Sequence, residues 1–458
     1  MGKKARMLRL GCPKKSIALV FVLLVSAVAL IVLSLVNPED VVFKLLALVL
    51  FFICIHLGLR EGYPFNPYFL FSLTPLSLVL YEYTFSTHYL DRLDPYVYGV
   101  ALCGISAFMF GLALLKHPGR AHARQGKEAR GDSLFYPLLL LGMLPTVYGI
   151  MQAPGTLLAG DFIGMGEYTG LMPMSSILMF CRFPALVLAF KSKQKGRIAI
   201  ALGCCVFALL LSFNKTNLTF LIFALLFSIH KYHLNSRGSR NAFRLLCSVA
   251  AVGLVASVTF YDDVRGDFDS TAALVNTGSS GLPEFLMLPY MYLECSWTNL
   301  QYVIDTQPDH TFGLWLLRPL LFYFRMDGVF EDAYTLVPAS SYNTYTYLTI
   351  PWKDFGLVGA ILISFGLGLF VGFVYQRFRR SSSPFFTAAY ALNAVAVLEM
   401  FFSNHFFYLV YPFTVVIIAV LCDAYAGYGL KSSAETSAER IANIGEVEKG
   451  SRRCSGRS

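Results

Sequence analysis

Eight basic side chains stand apart from the chain's main clusters of lysine and arginine, Lys44, Arg92, Arg182 and Lys353 among them, and four are candidates for chemistry: Lys215, Arg265, Arg318 and Arg325. Each falls at the edge of an apolar run or in the aromatic segment between two of them, where a charge needs a reason. Arg318 and Arg325 are seven residues apart. On a helix that spacing puts both guanidinium groups on one face, about two turns apart, and Pro319 is tolerated at its start. Guanidinium forks offer paired donors and an ammonium a compact charge, a combination suited to phosphate or pyrophosphate in a partly dry site. The plainer reading pairs each cation with a nearby carboxylate, Asp263, Asp267, Asp327 or Asp354, in exposed ion pairs that contribute little.

Candidate bases lie in the same part of the sequence. Glu294 is set among apolar and aromatic residues, a context that favours the protonated carboxyl and could poise it for proton transfer. His310 stands in Pro-Asp-His-Thr and His405 in Ser-Asn-His-Phe. Structural, hydrogen-bonded roles are the ordinary alternative for all three. The segment Tyr342-Asn343-Thr344-Tyr345-Thr346-Tyr347 alternates aromatic rings with small polar groups. Flat faces to stack on and donors for hydroxyls are what a sugar surface needs; an aromatic belt at a membrane interface is the alternative. Asp354 then opens a helix whose free amides its carboxylate can cap. Gly356, Gly359 and the Gly368/Gly372 pair allow close helix packing.

The elements that must hold these residues are membrane helices. Of 458 residues, 56% are hydrophobic and only 14% charged, a balance that excludes an ordinary soluble domain. Apolar runs fall at 16–36, 41–59, 66–85, 96–115, 133–151, 171–190, 198–213, 217–229, 243–260, 355–375, 384–402 and 406–427. The fold expected is an all-α polytopic membrane protein with about twelve transmembrane helices. The first run is uncharged, long enough to cross roughly 30 Å of hydrocarbon, and followed by no small-residue cleavage site, so it reads as a retained helix. A basic N-terminus (1–15) precedes helices one to nine (16–260). A large extracytoplasmic loop (261–353) separates them from helices ten to twelve (354–427), and a polar tail (428–458) follows. Most of the 37 lysines and arginines then fall on one side, which places both chain ends in the cytoplasm.

Within the large loop, 284–304 is apolar enough to lie on or dip into the bilayer, though Pro289 should kink or interrupt it. The net charge of +9 follows the loops rather than any nucleic-acid-binding patch, so no nucleic acid partner is expected. Ten scattered cysteines without C-x-x-C spacing argue against metal or disulfide frameworks. No cytoplasmic phosphate-binding glycine loop occurs, which argues against ATP-driven chemistry.

The layout, with Y-N-T-Y-T-Y at 342–347 and D-F-G-L-V-G at 354–359, resembles the Wzy-type oligosaccharide repeat-unit (O-antigen) polymerases. Ser212-Phe213-Asn214-Lys215-Thr216 looks like that family's outer-hairpin motif, with Lys215 where an arginine is common. The resemblance implies a metal-independent, cofactor-free glycosyl transfer on the outer face of the cytoplasmic membrane. The donor is a growing glycan on undecaprenyl pyrophosphate and the acceptor a lipid-linked repeat unit. It implies pyrophosphate binding by Lys215, Arg265, Arg318 and Arg325, a base in Glu294 or His405, and sugar contacts from Tyr342, Asn343, Tyr345 and Asp354. Membrane lipid, a flippase and a chain-length regulator would be its partners. A lipid-linked oligosaccharide flippase or transporter, and an O-antigen ligase, are the competing readings. A transporter should show repeated halves and broken helices with polar residues at mid-membrane, whereas here the polar residues concentrate in the outer loop.

Overall fold

A computed structural model of the chain describes residues 40–81, 93–115, 131–152, 174–212, 215–233, 284–323, 344–407 and 411–426, with 241, 243, 247–248, 326 and 328–329. Among these residues the secondary structure is helical and contains no strand. Among the described residues, four helices are long and apolar enough to cross a membrane: Val42–Glu61, Pro95–Leu114, Asp132–Gln152 and Thr349–Arg380. Shorter apolar helices cover Pro67–Leu80, Pro384–Leu398 and Tyr411–Ala426. The apolar runs expected at 16–36 and 243–260 lie outside the described residues, the latter but for isolated positions.

The first helices are α1 (Asp40–Glu61), α2 (Pro67–Phe71), α3 (Leu73–Leu80) and α4 (Pro95–Leu114). The run at 66–85, expected as one helix, divides at Ser72. Pro75 has no amide for the Phe71 carbonyl and its ring crowds that turn. Ser72 takes up the slack, its hydroxyl donating to the Phe69 carbonyl at 2.6 Å. Next come α5 (Phe135–Gln152), the short α6 (Ser175–Leu178), α7 (Arg182–Ser192), α8 (Lys195–Ser212) and α9 (Lys215–Tyr232). Here too an expected single run, 171–190, is broken: Met179–Cys181 forms a 3-10 turn immediately before Arg182.

The large loop contributes α10 (Glu284–Thr306) and α11 (Leu314–Tyr323). The α10 backbone stays helical past Pro289, which falls in its second turn and does not end it. From Cys295 to Val303 its side chains turn into the protein: Cys295, Trp297, Leu300 and Val303 are all buried. Trp297 donates its indole N–H to Ser77 Oγ at 3.0 Å, and Tyr81 meets Thr298 at 2.9 Å.

The core is built on α12 (Thr349–Arg380) lying against α4, with α13 (Pro384–Leu398) and α14 (Tyr411–Ala426) completing it. Glycine makes the α4–α12 approach possible. A side chain at Gly111 would strike the Phe365 carbonyl, and one at Gly368 would strike the Phe108 carbonyl. The two backbones therefore touch reciprocally, as small-residue membrane packing allows. At the C-terminal end of α12, Lys231 donates to the carbonyls of Phe378 (3.0 Å) and Ser381 (2.9 Å) and to Thr387 Oγ1 (2.9 Å), tying α9, α12 and α13 together. A cation there satisfies carbonyls that the ended helix leaves open.

Candidate functional site

The polar side chains that could act gather around the N-terminal end of α12. Its helix is entered at Thr349, before Asp354, and breaks at Phe355–Gly356, where Gly356 has φ 62° and ψ −148°. Only glycine adopts that backbone without strain. A helix simply opening at Asp354, the expectation from sequence, is thus replaced by a kinked one. The break frees two carbonyls, and the turn between α10 and α11 supplies their donors: Thr311 N to Lys353 O and Phe312 N to Asp354 O, both at 3.0 Å. Asp354 is fully buried and caps not its own helix but the start of α11. Its Oδ1 accepts from Thr311 Oγ1 (2.5 Å) and the Trp315 amide (3.2 Å), its Oδ2 from the Leu316 amide (2.8 Å). Lys353 Nζ reaches the Gln307 carbonyl at 3.2 Å, and His310 stands edge-on to Trp352, 5.3 Å between ring centres. Arg318, one turn into α11, lies over the Trp315 ring at 4.9 Å.

The segment leading into α12 ties this elbow to the turn between α13 and α14. Tyr347 N donates to the Met400 carbonyl (3.0 Å) and Asn404 Nδ2 to the Tyr347 carbonyl (3.3 Å). From α10, Ser296 bonds the Phe401 carbonyl (2.6 Å) and Asn299 the Thr344 carbonyl (2.7 Å). Held in this turn is His405, 2% exposed, with Nε2 at 2.5 Å from Glu399 Oε2. A carboxylate on one ring nitrogen fixes the orientation of the imidazole. Nδ1 faces Ser403 Oγ at 3.5 Å.

The His405 ring lies against Tyr411 (5.2 Å), and Tyr411 packs on Phe220 (4.6 Å) and Phe180 (5.5 Å). Those two aromatic residues come from the segments that carry Asn217 and Arg182. Arg182, 4% exposed, donates Nη2 to Asn217 Oδ1 at 3.2 Å and lies over Phe183 at 5.1 Å. Gly142 gives α5 the room to press on its backbone. Among the described residues, neither Arg182 Nε nor the Tyr411 hydroxyl has a hydrogen-bond partner.

The residues expected from sequence fare unevenly. His405 and Asp354 belong to this region, Tyr345 is buried beside them, and Arg318 sits on α11. Lys215 begins α9 and Glu294 lies within α10, their side chains beyond description. Arg265, Arg325, Tyr342 and Asn343 lie outside the described residues, and with them any convergence of four cations. Sequence reasoning assigned no role to Arg182, Asn217, Glu399 or Lys353. An arginine inside an apolar run was itself a signal, because buried charge in a membrane segment needs a partner. That partner stands 35 residues on. The chain matches no protein-family model, no curated protein and no solved structure.

Proposed function

We propose that the chain is a multi-pass glycosyltransferase that joins lipid-linked oligosaccharide units on the outer face of the cytoplasmic membrane, with about twelve spans and both ends inside. The observation that carries this reading is the pairing of His405 with Glu399 in an aromatic cluster, through Tyr411, Phe180 and Phe220, whose last two members come from the segments that carry the buried Arg182 and its partner Asn217. A base and an anion-binding cation, joined through one aromatic cluster among apolar helices, are what transfer from a lipid diphosphate requires. The repeat-unit polymerase resemblance supplies the substrate class: undecaprenyl pyrophosphate carrying a glycan.

In this mechanism Glu399 holds the imidazole, and His405 takes the proton of the acceptor hydroxyl as its oxygen bonds the donor's anomeric carbon. The anomeric C–O bond to pyrophosphate breaks, and the charge on the leaving group is met by Arg182 with Asn217, and by Arg318 and Lys215. Fixed donors aimed where charge develops lower such a barrier most. Tyr345, with Tyr342 and Asn343 as the resemblance implies, is assigned to the sugar, while Asp354 keeps the elbow in register.

The test is gel analysis of surface glycan from a deletion strain complemented with variants. Wild type restores a ladder. Arg182→Ala, Arg318→Ala and His405→Ala, at matched membrane levels, should leave single-unit glycolipid and no ladder. In a lipid-linked assay His405→Ala should lower the rate about 10²–10⁴-fold. Normal ladders from Arg182→Ala and His405→Ala would refute the assignment. Translocation without lengthening would instead make the protein a flippase, and transfer of finished polymer to another acceptor a ligase.

A further inference from the structure

The side of α11 turned away from the protein is apolar and uncovered. Leu316, Leu317 and Leu320 are 39%, 49% and 56% exposed, and at about 100° per residue they share one helix face. Trp315, fully buried, and Arg318 above its ring take the opposite side. Before the helix stands Phe312, 80% exposed and held at φ 49°. A bulky residue in that region is strained, and its ring gains nothing from water in return.

This surface continues onto α12 without a break. A Cβ on Gly313 would lie 3.1 Å from the Phe355 ring, and Phe355, Val358 and Leu362 lead on along an exposed side of a helix fit to cross a membrane. With ten residues α11 spans only about 15 Å, half of a hydrocarbon core of about 30 Å. The turn that leads into it has its amides satisfied by α12, as backbone near lipid must. On α10, by contrast, the apolar side chains of Cys295, Trp297, Leu300 and Val303 are buried.

We infer that α11 is a monotopic helix seated in the phospholipid leaflet that surrounds the N-terminal end of α12. Its leucine face and Phe312 enter the acyl-chain boundary, Arg318 stands at headgroup height, and Asp354 moors the helix to α12. An amphipathic helix with an apolar face and a cation opposite binds a bilayer surface in this way. The inference goes beyond the transfer reaction and holds whether or not that reaction is the right one.

The test places dansylalanine, excited directly, at position 317 or 320 of the full chain in proteoliposomes whose phospholipids carry bromine at shallow or deep acyl positions. Both sites should emit at short wavelength and lose at least half their emission to shallow bromine, and less to deep bromine. A probe at Thr306, exposed at the end of α10, should be unaffected. Water-like, unquenched emission would overturn the inference. So would short-wavelength emission that bromine does not touch, since protein would then cover the face. Strongest quenching by deep bromine would also overturn it, because the helix would then cross rather than lie on the leaflet.

Discussion

Asp354 joins two parts of the chain through three hydrogen bonds to one buried carboxylate. Bonds to a charged group contribute about 1.5–3 kcal/mol each, and the amides left behind at a helix start are costly to bury. Asp354→Asn should therefore lower the thermal midpoint of the purified protein in detergent by several degrees, and Asp354→Ala by more. A midpoint equal to wild type in both would show that the elbow does not depend on this cap. At this scale the sequence was partly legible. Its capping chemistry was foreseen, but the amides it caps belong to residues 38 and 39 positions earlier. No local pattern announces so distant a partner. His405 was singled out while Glu399 was not, because six residues across a turn match no helical spacing. Arg182 shows the same limit, its charge visible in an apolar run and its partner Asn217 hidden on another helix.

Hydrophobic periodicity and run length located the helices, and glycine spacing in α12 announced its close packing, borne out by the reciprocal contacts of Gly111 and Gly368. What remained unread was where runs break, at Ser72, at Met179–Cys181 and at Phe355–Gly356. Apolar composition is blind to such breaks, which depend on whether a proline ring or a neighbouring backbone takes the place of a helical hydrogen bond. The α4–α12 seam gives a direct test. Gly368→Leu pushes a side chain into the Phe108 carbonyl and should cost about 1–3 kcal/mol through overpacking. Gly366→Leu, where nothing lies within 4 Å of a built Cβ, should be close to neutral. Equal loss of folded yield in the two variants, read by size-exclusion of solubilised protein, would remove the packing argument.

The whole molecule carries its polar chemistry at one end of α12 and a lysine-capped junction at the other. Under the proposed orientation, reporter fusions after residues 132 and 381 should be active only in the cytoplasm, and fusions after 213 and 348 only outside it. The opposite pattern would put the candidate site on the inner face and rule out outer-face transfer. That proposed orientation rests on charge asymmetry in the loops, since lysine and arginine resist passage across the bilayer; helix composition alone carries no such direction. One further property comes from where the large aromatics lie. The chain has three tryptophans, Trp297, Trp315 and Trp352, and all three are enclosed within the region where α10, the elbow and the entry to α12 meet. The ultraviolet emission of the untouched protein is therefore a private readout of that region. Any undocking of it would redden the spectrum, while events elsewhere in the bundle would pass unseen.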